Sequence, residues 1–394
     1  MSKLIFLDNG ATSFPKPEEV YAFMDYFYRN FGVNPGRSGY DLCLETGELV
    51  ENTRKMLTAF FNGRDPNRLC FSYNSTDALN LIIFGLLKPG DHAVTTALEH
   101  NSVLRPLYHL SETGVEVDHV PFDGRGFVNP DDIARAIKKT TKLVIVNHVS
   151  NVIGTVQPIR DIGRICRERG VLLAIDASQS AGKVSIDIER DSIDVVAFTG
   201  HKSLLGPTGI GGLYVREGID IRHTRAGGTG VRSAVRKHLE EYPYRLEYGT
   251  LNVLGVAGLH AGLKWILERG VETIHKREMD LLTRLRDGLR AIDGVTLYCQ
   301  DDLTDHISVL LFNVDGMEAM DVGTILDVDY GIACRTGLHC APLVHEQLGT
   351  DKLHGGVRFG IGPFNTEDHI EAAIGAVRDV ADMARRKRAK GKTV

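Results

Sequence analysis

The chain has 394 residues, which is too long for one ordinary hydrophobic core, so we expect two domains. Hydrophobic residues make up 43% and charged residues 25%, a composition typical of globular proteins. The net charge of −5 argues against a nucleic-acid-binding surface, and no apolar run is long enough to span a membrane. The N-terminus has no signal-peptide pattern, so we expect a cytoplasmic protein with no nucleic-acid or membrane partner.

Short apolar runs alternate with helical patterns through the first two thirds of the chain. Seven runs rich in β-branched or aromatic residues predict strands at residues 69–71, 92–95, 115–120, 143–147, 171–175, 195–198 and 211–215. Residues 76–87, 129–138 and 161–169 lie between strands and have the apolar spacing of helices. This alternation predicts an α/β fold with a largely parallel sheet that is covered on both faces.

The pattern changes after about residue 254. Residues 257–268, 272–292 and 366–385 have helical spacing, and residues 306–313 alternate like a strand. We therefore expect a large domain over residues 15–255 and a smaller α+β domain that combines residues 1–14 with 256–384. Residues 385–394 hold six Lys or Arg and are expected to form a disordered basic tail, either as a solvated end or as a docking site for an acidic partner.

The six cysteines are scattered without a Cys-x-x-Cys pair, which argues against both a disulfide framework and a zinc site. Five of them are expected to be small buried hydrophobic residues, and no metal site is predicted. The sixth, Cys340, lies in a polar, glycine-containing loop, where a role as core filler is less favoured.

Three polar motifs follow predicted strands. Lys202 comes just after the strand at 195–198, where a lysine of lowered pKa can form a Schiff base, although a lone lysine there is more often solvated. Asp176 follows the strand at 171–175 and is placed either to hold a pyridine nitrogen or to cap a helix. Ser75 and Thr76 begin a helix, whose N-terminus is an anion site or an ordinary cap. Together the three motifs predict a pyridoxal 5'-phosphate (PLP) site.

The chain resembles the class V aminotransferase family of fold type I PLP-dependent transferases, and in particular its cysteine desulfurases. The resemblance extends over nearly the whole chain, from residues 7–12 to 357–360. Its most specific segments are Glu99-His100-Asn101-Ser102, Thr199-Gly200-His201-Lys202 and residues 150–155, 176–180 and 249–252. Fold type I implies a large domain with a mostly parallel sheet and a smaller α+β domain.

The resemblance also implies a role for each matching residue. Lys202 would bind the cofactor as a Schiff base, Asp176 would pair with the pyridine nitrogen, and His100 would stack on the ring and move protons. The ring hydroxyl would be contacted by Gln179 and Asn151, the second of which would also lie near the substrate. The phosphate would be held by Ser75, Thr76, Thr199 and His201. Thr250 would reach the phosphate of a neighbouring subunit, which implies a homodimer with shared sites.

Residues 331–342 distinguish desulfurases from other members of the family. This segment resembles the Arg-x-Gly-His-His-Cys-Ala stretch of SUF-type desulfurases, although Leu338 replaces the first His. Cys340 would attack the sulfur of the substrate, in a positive environment supplied by Arg335 and His339. Arg358 would hold the substrate carboxylate, because a guanidinium matches a carboxylate with two hydrogen bonds. The remaining predicted substrate-binding residues are Asn151, Arg335 and Arg37, the last in a segment that departs from the SUF-type pattern.

We therefore expect an enzyme that converts L-cysteine to L-alanine and carries the sulfur on Cys340 as a persulfide. An acceptor protein would take up this sulfur, for example in iron–sulfur cluster assembly. One alternative is a selenocysteine lyase or class V aminotransferase of the same fold, and Cys340 argues against the aminotransferase. Another is a catalytically weak scaffold or sulfur-delivery partner, which the intact set of Lys202, Asp176 and Arg358 argues against.

Overall fold

The computed structural model describes residues 4–35 and 39–391. Thirteen strands form within these residues: β1 (Ile5–Phe6), β2 (Leu69–Ser72), β3 (His92–Thr96), β4 (Glu116–Val120), β5 (Thr141–Asn147), β6 (Leu172–Asp176), β7 (Val195–Thr199), β8 (Gly211–Val215), β9 (Val295–Leu297), β10 (Val309–Val314), β11 (Ile332–Ala333), β12 (Arg335–Gly337) and β13 (Gly356–Gly360). The α-helices in the same residues are α1 (Glu18–Phe31), α2 (Asp41–Phe60), α3 (Ser75–Leu86), α4 (Asn101–Ser111), α5 (Pro130–Ala136), α6 (Ile159–Arg169), α7 (Val253–Arg269), α8 (Val271–Arg290), α9 (Ala319–Tyr330), α10 (Pro342–Leu348) and α11 (Glu367–Gly391). Arg37 and Lys392, two residues of the sequence predictions, lie outside the described residues.

A seven-stranded sheet forms the centre of the larger domain, in the order β2-β8-β7-β6-β5-β3-β4. Six of its strands run in the same direction, and β8 is antiparallel to both of its neighbours. Each of the seven predicted strands is present to within two residues, so the prediction of a largely parallel sheet is confirmed. Side chains alternate between the two faces of β5, with Leu143 and Ile145 in one apolar core and Val144 and Val146 in another. Helices therefore cover both faces, as the continuous apolar strands required.

The smaller domain contains a four-stranded antiparallel sheet in the order β12-β13-β10-β9. Apolar residues of α8, α9 and α11 pack against this sheet in a core of their own. The N-terminal strand β1 pairs with β11, and Leu7 is buried in the same core. The first residues of the chain thus pack with its last third.

Two helices differ from the predicted domain boundary at residue 256. In α7, Val256, Leu259, Leu263 and Ile266 are buried in the core of the larger domain, because this helix is apolar on most of its surface. In α10, Val344 is buried in that same core. The chain therefore returns to the larger domain after β12, and the loop before α10 crosses between the two domains.

The C-terminal helix also extends further than the sequence suggested. Residues 385–391, which were expected to be disordered, continue α11 in the described structure. Arg385 pairs with Asp293 at 2.8 Å, and Arg388 lies 3.9 Å from Asp315. These acidic residues are distant in sequence, so their contribution could not be seen in the composition of the tail. Within the described part of the chain, no helix is both long and apolar enough to cross a membrane.

A buried ion pair joins the two domains. Lys183, which follows β6, contacts the carboxylate of Glu278 on α8, and both side chains are almost fully buried. Lys183 also donates to the carbonyl oxygen of Ile361 at 3.1 Å, and Ser308 donates to Glu278 at 2.6 Å. The pair thus fixes the smaller domain near the end of β13.

We predict that Glu278→Leu will lower the free energy of unfolding by about 3–5 kcal/mol, because it leaves the ammonium group of Lys183 buried without a counter-charge. The double variant Lys183→Met/Glu278→Leu should lose less than Glu278→Leu alone, since it buries no charge. Urea denaturation of both variants and the wild type measures the difference. A double variant that is less stable than the single one would contradict this account.

Candidate active site

A cavity of about 260 Å³ lies at the carboxyl end of the large sheet. The parallel strands β2, β3, β5, β6 and β7 all end there, so the polar residues that follow them converge, as is usual in α/β proteins. Arg335 of β12 and Arg358 of β13 close the cavity from the smaller domain. Most of the predicted site residues line it: Ser75, Thr76, His100, Asn151, Asp176, Gln179, Thr199, His201, Lys202, Arg335 and Arg358.

Lys202 lies in the turn after β7 and faces the cavity. Burial lowers the pKa of Lys202 to about 8, and the nearby carboxylate of Asp176 opposes part of this effect. Roughly a tenth of the amine is therefore uncharged at pH 7, far more than for an ordinary lysine, and the uncharged amine is the form that can attack a carbonyl carbon.

Asp176 is the last residue of β6 and is almost fully buried. Its Oδ1 atom accepts hydrogen bonds from the backbone N–H of Ser178 at 2.9 Å and from the hydroxyl of Ser75 at 3.2 Å. Among the described residues, no hydrogen bond reaches Oδ2. One carboxylate oxygen is thus anchored, and the other remains for a bound group, such as a protonated ring nitrogen.

The N-terminus of α3 lines the cavity next to Asp176. Ser75 and Thr76 begin this helix of 12 residues, and Asn74 caps it by accepting a hydrogen bond from the backbone N–H of Asp77. Across the cavity, Thr199 Oγ1 is buried and has no hydrogen-bond partner in the described part of the chain. Free N–H groups, hydroxyls and the helix dipole suit a phosphate group.

His100 lies at the N-terminal end of α4, where its Nδ1 accepts a hydrogen bond from the backbone N–H of Ser102 at 3.1 Å. Burial and the positive charge of Lys202 lower the pKa of His100 to about 4. The ring is therefore neutral at physiological pH, with its proton on Nε2. Burial likewise lowers the pKa of His201 to about 4.

Arg358 has only 1% of its surface exposed, and its guanidinium group joins three parts of the chain. It donates from Nη2 to Asp8 Oδ1 at 2.8 Å and from Nη1 to the carbonyl oxygen of Asn151 at 2.9 Å. Its Nε atom and the side-chain oxygen of Asn151 are buried without partners among the described residues. Gly10 allows this arrangement, because a Cβ atom there would lie 3.0 Å from Arg358 Cζ. The unpaired donor can serve a carboxylate.

Cys340 lies beside the cavity, in the loop between β12 and α10. It lines an adjoining groove that shares Thr76, His100 and Ser102 with the main cavity. The guanidinium of Arg335 donates from Nη2 to Cys340 Sγ at 3.1 Å. Because Arg335 also lines the main cavity, it connects the thiol to that space. This contact places a positive charge against the sulfur.

Three sequence predictions need comment. His339 was expected to add positive charge near Cys340, but burial and the neighbouring Arg358 hold its pKa well below the usual range, so its ring is neutral. Thr250 is exposed and lines surface pockets away from the main cavity of its own chain. Arg37 lies outside the described residues. No group of three His, Cys, Asp or Glu side chains within the described ranges could hold a metal ion.

Sequence reasoning missed Asp8, the partner of Arg358, and the acidic side chain of Glu99. Glu99 follows β3 and is fully buried. Its Oε1 accepts from Thr96 Oγ1 at 2.7 Å and from the backbone N–H of Asn147 at 2.9 Å, whereas Oε2 has no partner in the described structure. Burial raises the pKa of Glu99 to about 8, so the carboxyl group is mostly protonated at neutral pH. Its proximity to His100 in the sequence was the available signal.

Comparisons with known proteins give a consistent picture. The family model described as aminotransferase class-V matches residues 5–373. Two relatives named probable cysteine desulfurase are each 34% identical to the chain. The alignment with the one from Methanothermobacter thermautotrophicus covers 96% of this chain and 95% of the relative. The alignment with the one from Pyrococcus abyssi covers 97% of this chain and 96% of the relative. The structure is similar to a cysteine desulfurase from Thermococcus onnurineus NA1, with a TM-score of 0.90, 34% identity and coverage of 96% of this chain and 95% of that one. It is also similar to one from Escherichia coli, with a TM-score of 0.86, 28% identity and coverage of 97% and 95%.

We predict that Glu99→Gln will increase stability more at pH 8 than at pH 5. The folded-state pKa of Glu99 is raised to about 8, so its contribution is fully present at low pH and is lost between about pH 4.5 and pH 8. Glutamine imitates the protonated acid and does not titrate, and all other groups cancel in the comparison with the wild type. Urea denaturation at both pH values gives the difference. An equal effect of the substitution at pH 5 and pH 8 would contradict the assignment.

Proposed function

Because the chain belongs to the class V aminotransferase family and has its fold type I architecture, we propose that it is a PLP-dependent cysteine desulfurase. Such an enzyme removes the sulfur of L-cysteine and leaves L-alanine. The observation that carries the proposal is the contact of 3.1 Å between Arg335 and Cys340, at the edge of a cavity that also holds Lys202 and Arg358. An aminotransferase has no need of a thiol in this position.

The cavity has a suitable group for each part of PLP. Lys202 is proposed to bind the aldehyde carbon, since burial lowers the pKa of its amine and so increases the uncharged fraction. Asp176 Oδ2 would pair with the pyridine nitrogen, and the N-terminus of α3 together with Thr199 would hold the phosphate. When bound, PLP supplies an electron sink for the bonds to the substrate α-carbon. The role of the protein is to hold and orient that group.

The substrate carboxylate is proposed to bind Arg358. This guanidinium is already oriented by Asp8 and by the carbonyl of Asn151, and its Nε atom is free to donate. The contact fixes the amino acid relative to Lys202 and leaves its side chain to extend toward Arg335. A guanidinium held rigidly by two partners loses little entropy when it binds the carboxylate.

Cys340 is proposed to take the sulfur. Its thiolate forms an S–S bond to the substrate sulfur while the substrate C–S bond breaks, and the electron pair of that bond stays with the carbon skeleton. Protonation of the carbon then gives alanine, and Cys340 carries a persulfide. Lys202 and His100, whose proton is on Nε2, line the cavity and are the candidates for moving those protons.

We also propose that the protein acts as a homodimer and passes its sulfur to an acceptor protein. Thr250 is exposed and lies away from the main cavity of its own chain, which supports a role in the site of a neighbouring subunit. The groove beside Cys340 offers a route by which an acceptor thiol could approach. The basic end of α11 is a less favoured docking site, because Arg385 and Arg388 have acidic neighbours within the chain.

We expect Lys202→Ala to lose covalent cofactor attachment. Borohydride reduction of the wild type loaded with PLP, followed by peptide mapping, should label Lys202. Lys16 is the natural control, because burial also lowers its pKa to about 8 although it does not line the cavity. A label on Lys16 or another lysine would disprove the assignment.

We expect Cys340→Ser to bind PLP and L-cysteine but to lose at least about 99% of the release of alanine and sulfide, since the thiolate is needed only after the substrate is bound. Absorbance titration with cysteine measures binding, and an alanine assay measures turnover. Cys334→Ser is the matched control, because burial raises the pKa of Cys334 to about 12 and makes it a poor nucleophile. Turnover near the wild-type level in Cys340→Ser would refute the desulfurase mechanism.

A further inference from the structure

A chain of three buried polar side chains lies next to Cys340 in the structure. His339 Nδ1 is 3.2 Å from His345 Nε2, and His345 Nδ1 is 2.8 Å from Thr350 Oγ1. The exposed fractions of the three residues are 2%, 0% and 1%. The second nitrogen of His339, Nε2, lies 3.3 Å from the carbonyl oxygen of Arg335. None of these side chains lines the cavity described above, so they are not needed to bind PLP or the substrate.

The direction of each hydrogen bond follows from the one between His339 and the carbonyl oxygen of Arg335. A carbonyl oxygen can only accept, so the proton of His339 is on Nε2 and points to Arg335. His339 Nδ1 must then accept, and the donor is the Nε2–H group of His345. His345 Nδ1 in turn accepts from the hydroxyl of Thr350. This pattern requires two neutral rings, and burial lowers the pKa of His345 to about 4.

His345 is fixed to the larger domain through its helix. The neighbouring Val344 is buried in the core of that domain, and Gln347 accepts a hydrogen bond at 3.3 Å from the backbone N–H of Phe122 at the end of the large sheet. Arg335, by contrast, belongs to a strand of the smaller domain. The hydrogen bond between His345 and His339 therefore connects the loop to a fixed point on the other domain.

The loop needs such a connection because its backbone is strained. His339 and Cys340 have φ angles of +50° and +58°, which side chains with a Cβ atom rarely adopt. Two hydrogen bonds to backbone carbonyls hold them there. The side-chain amide of Asn151 donates to the carbonyl oxygen of His339 at 2.8 Å, and the backbone N–H of Asn101 donates to the carbonyl oxygen of Cys340 at 2.7 Å. The ring of His339 adds a third contact, across the loop to Arg335.

We propose that His345 is a positioning residue, which through His339 holds the loop of residues 335–340 in the conformation that keeps the Arg335 guanidinium on the Cys340 thiol. The inference rests on the proposed function. It assigns to His345 an effect on the sulfur-transfer step and none on the binding of cysteine, since the carboxylate is proposed to bind Arg358. Thr350 selects the ring tautomer of His345 that can donate.

The test compares two substitutions at the same buried position. His345→Phe keeps a planar ring but removes the donor, whereas the side-chain amide of His345→Gln can still donate to His339. We expect kcat for alanine formation to fall about tenfold in His345→Phe, the usual effect of one lost neutral hydrogen bond, with KM for cysteine unchanged. His345→Gln should recover most of the rate. The melting temperatures of both variants, measured by calorimetry, serve as the control for general destabilisation.

A second readout needs neither cofactor nor substrate. Iodoacetamide alkylation of Cys340 at pH 7, followed by mass spectrometry of the peptide, should be slower in His345→Phe than in the wild type and should be restored in His345→Gln, since the contact with Arg335 would no longer hold the sulfur at the groove. The proposal is overturned if both variants alkylate and turn over like the wild type. It is also overturned if they lose rate in parallel with melting temperature, which would indicate only a structural role. Either result leaves the proposed function standing, because that function fails only if Cys340→Ser retains turnover.

Discussion

The burial of one positive charge organises the site. Arg358 is almost completely removed from solvent, which costs several kcal/mol unless the charge is paired and hydrogen-bonded. Asp8 from the first residues of the chain and the carbonyl of Asn151 from the larger domain supply those partners, while Arg358 itself is part of the small antiparallel sheet. The two domains and the N-terminal segment must therefore meet at this point. The cavity, the orientation of the proposed substrate-binding group and the position of the cysteine loop all depend on that meeting.

The loop of Cys340 lies between two adjoining spaces, the main cavity and the groove beside it. Arg335 faces the cavity in which the amino acid would bind, and Cys340 faces the groove beside it. Arg335 spans the distance between them with one hydrogen bond to the thiol. A sulfur atom bound to Cys340 would therefore lie at the groove that adjoins the main cavity. Leu338, where the related enzymes carry a histidine, is 41% exposed and has no visible part in this arrangement.

The sequence was sufficient to predict the large sheet and most residues of the cavity. The strands have continuous apolar runs, and Ser75, Asp176 and Lys202 follow such runs directly, so their meeting at one edge of the sheet is a local consequence of topology. Asp8 could not be predicted, because its importance arises from a partner 350 residues away. The same holds for Arg385, whose ion pair with Asp293 extends a helix into a segment of highly charged composition. His345 escaped notice because a single histidine on a short helix carries no pattern, and only the fold brings it to His339.

The pairing of β1 with β11 has a consequence for folding during translation. Strand β1 is synthesised long before its partner at residues 332–333. Gly360, whose N–H donates to the carbonyl of Leu7, emerges later still. The larger domain can fold while synthesis continues, whereas the N-terminal segment must wait, and such long-range contacts form slowly. A nascent chain that has not yet reached residue 358 therefore lacks the Asp8–Arg358 pair, so the proposed site for handling a reactive sulfur is completed only after that segment has been made.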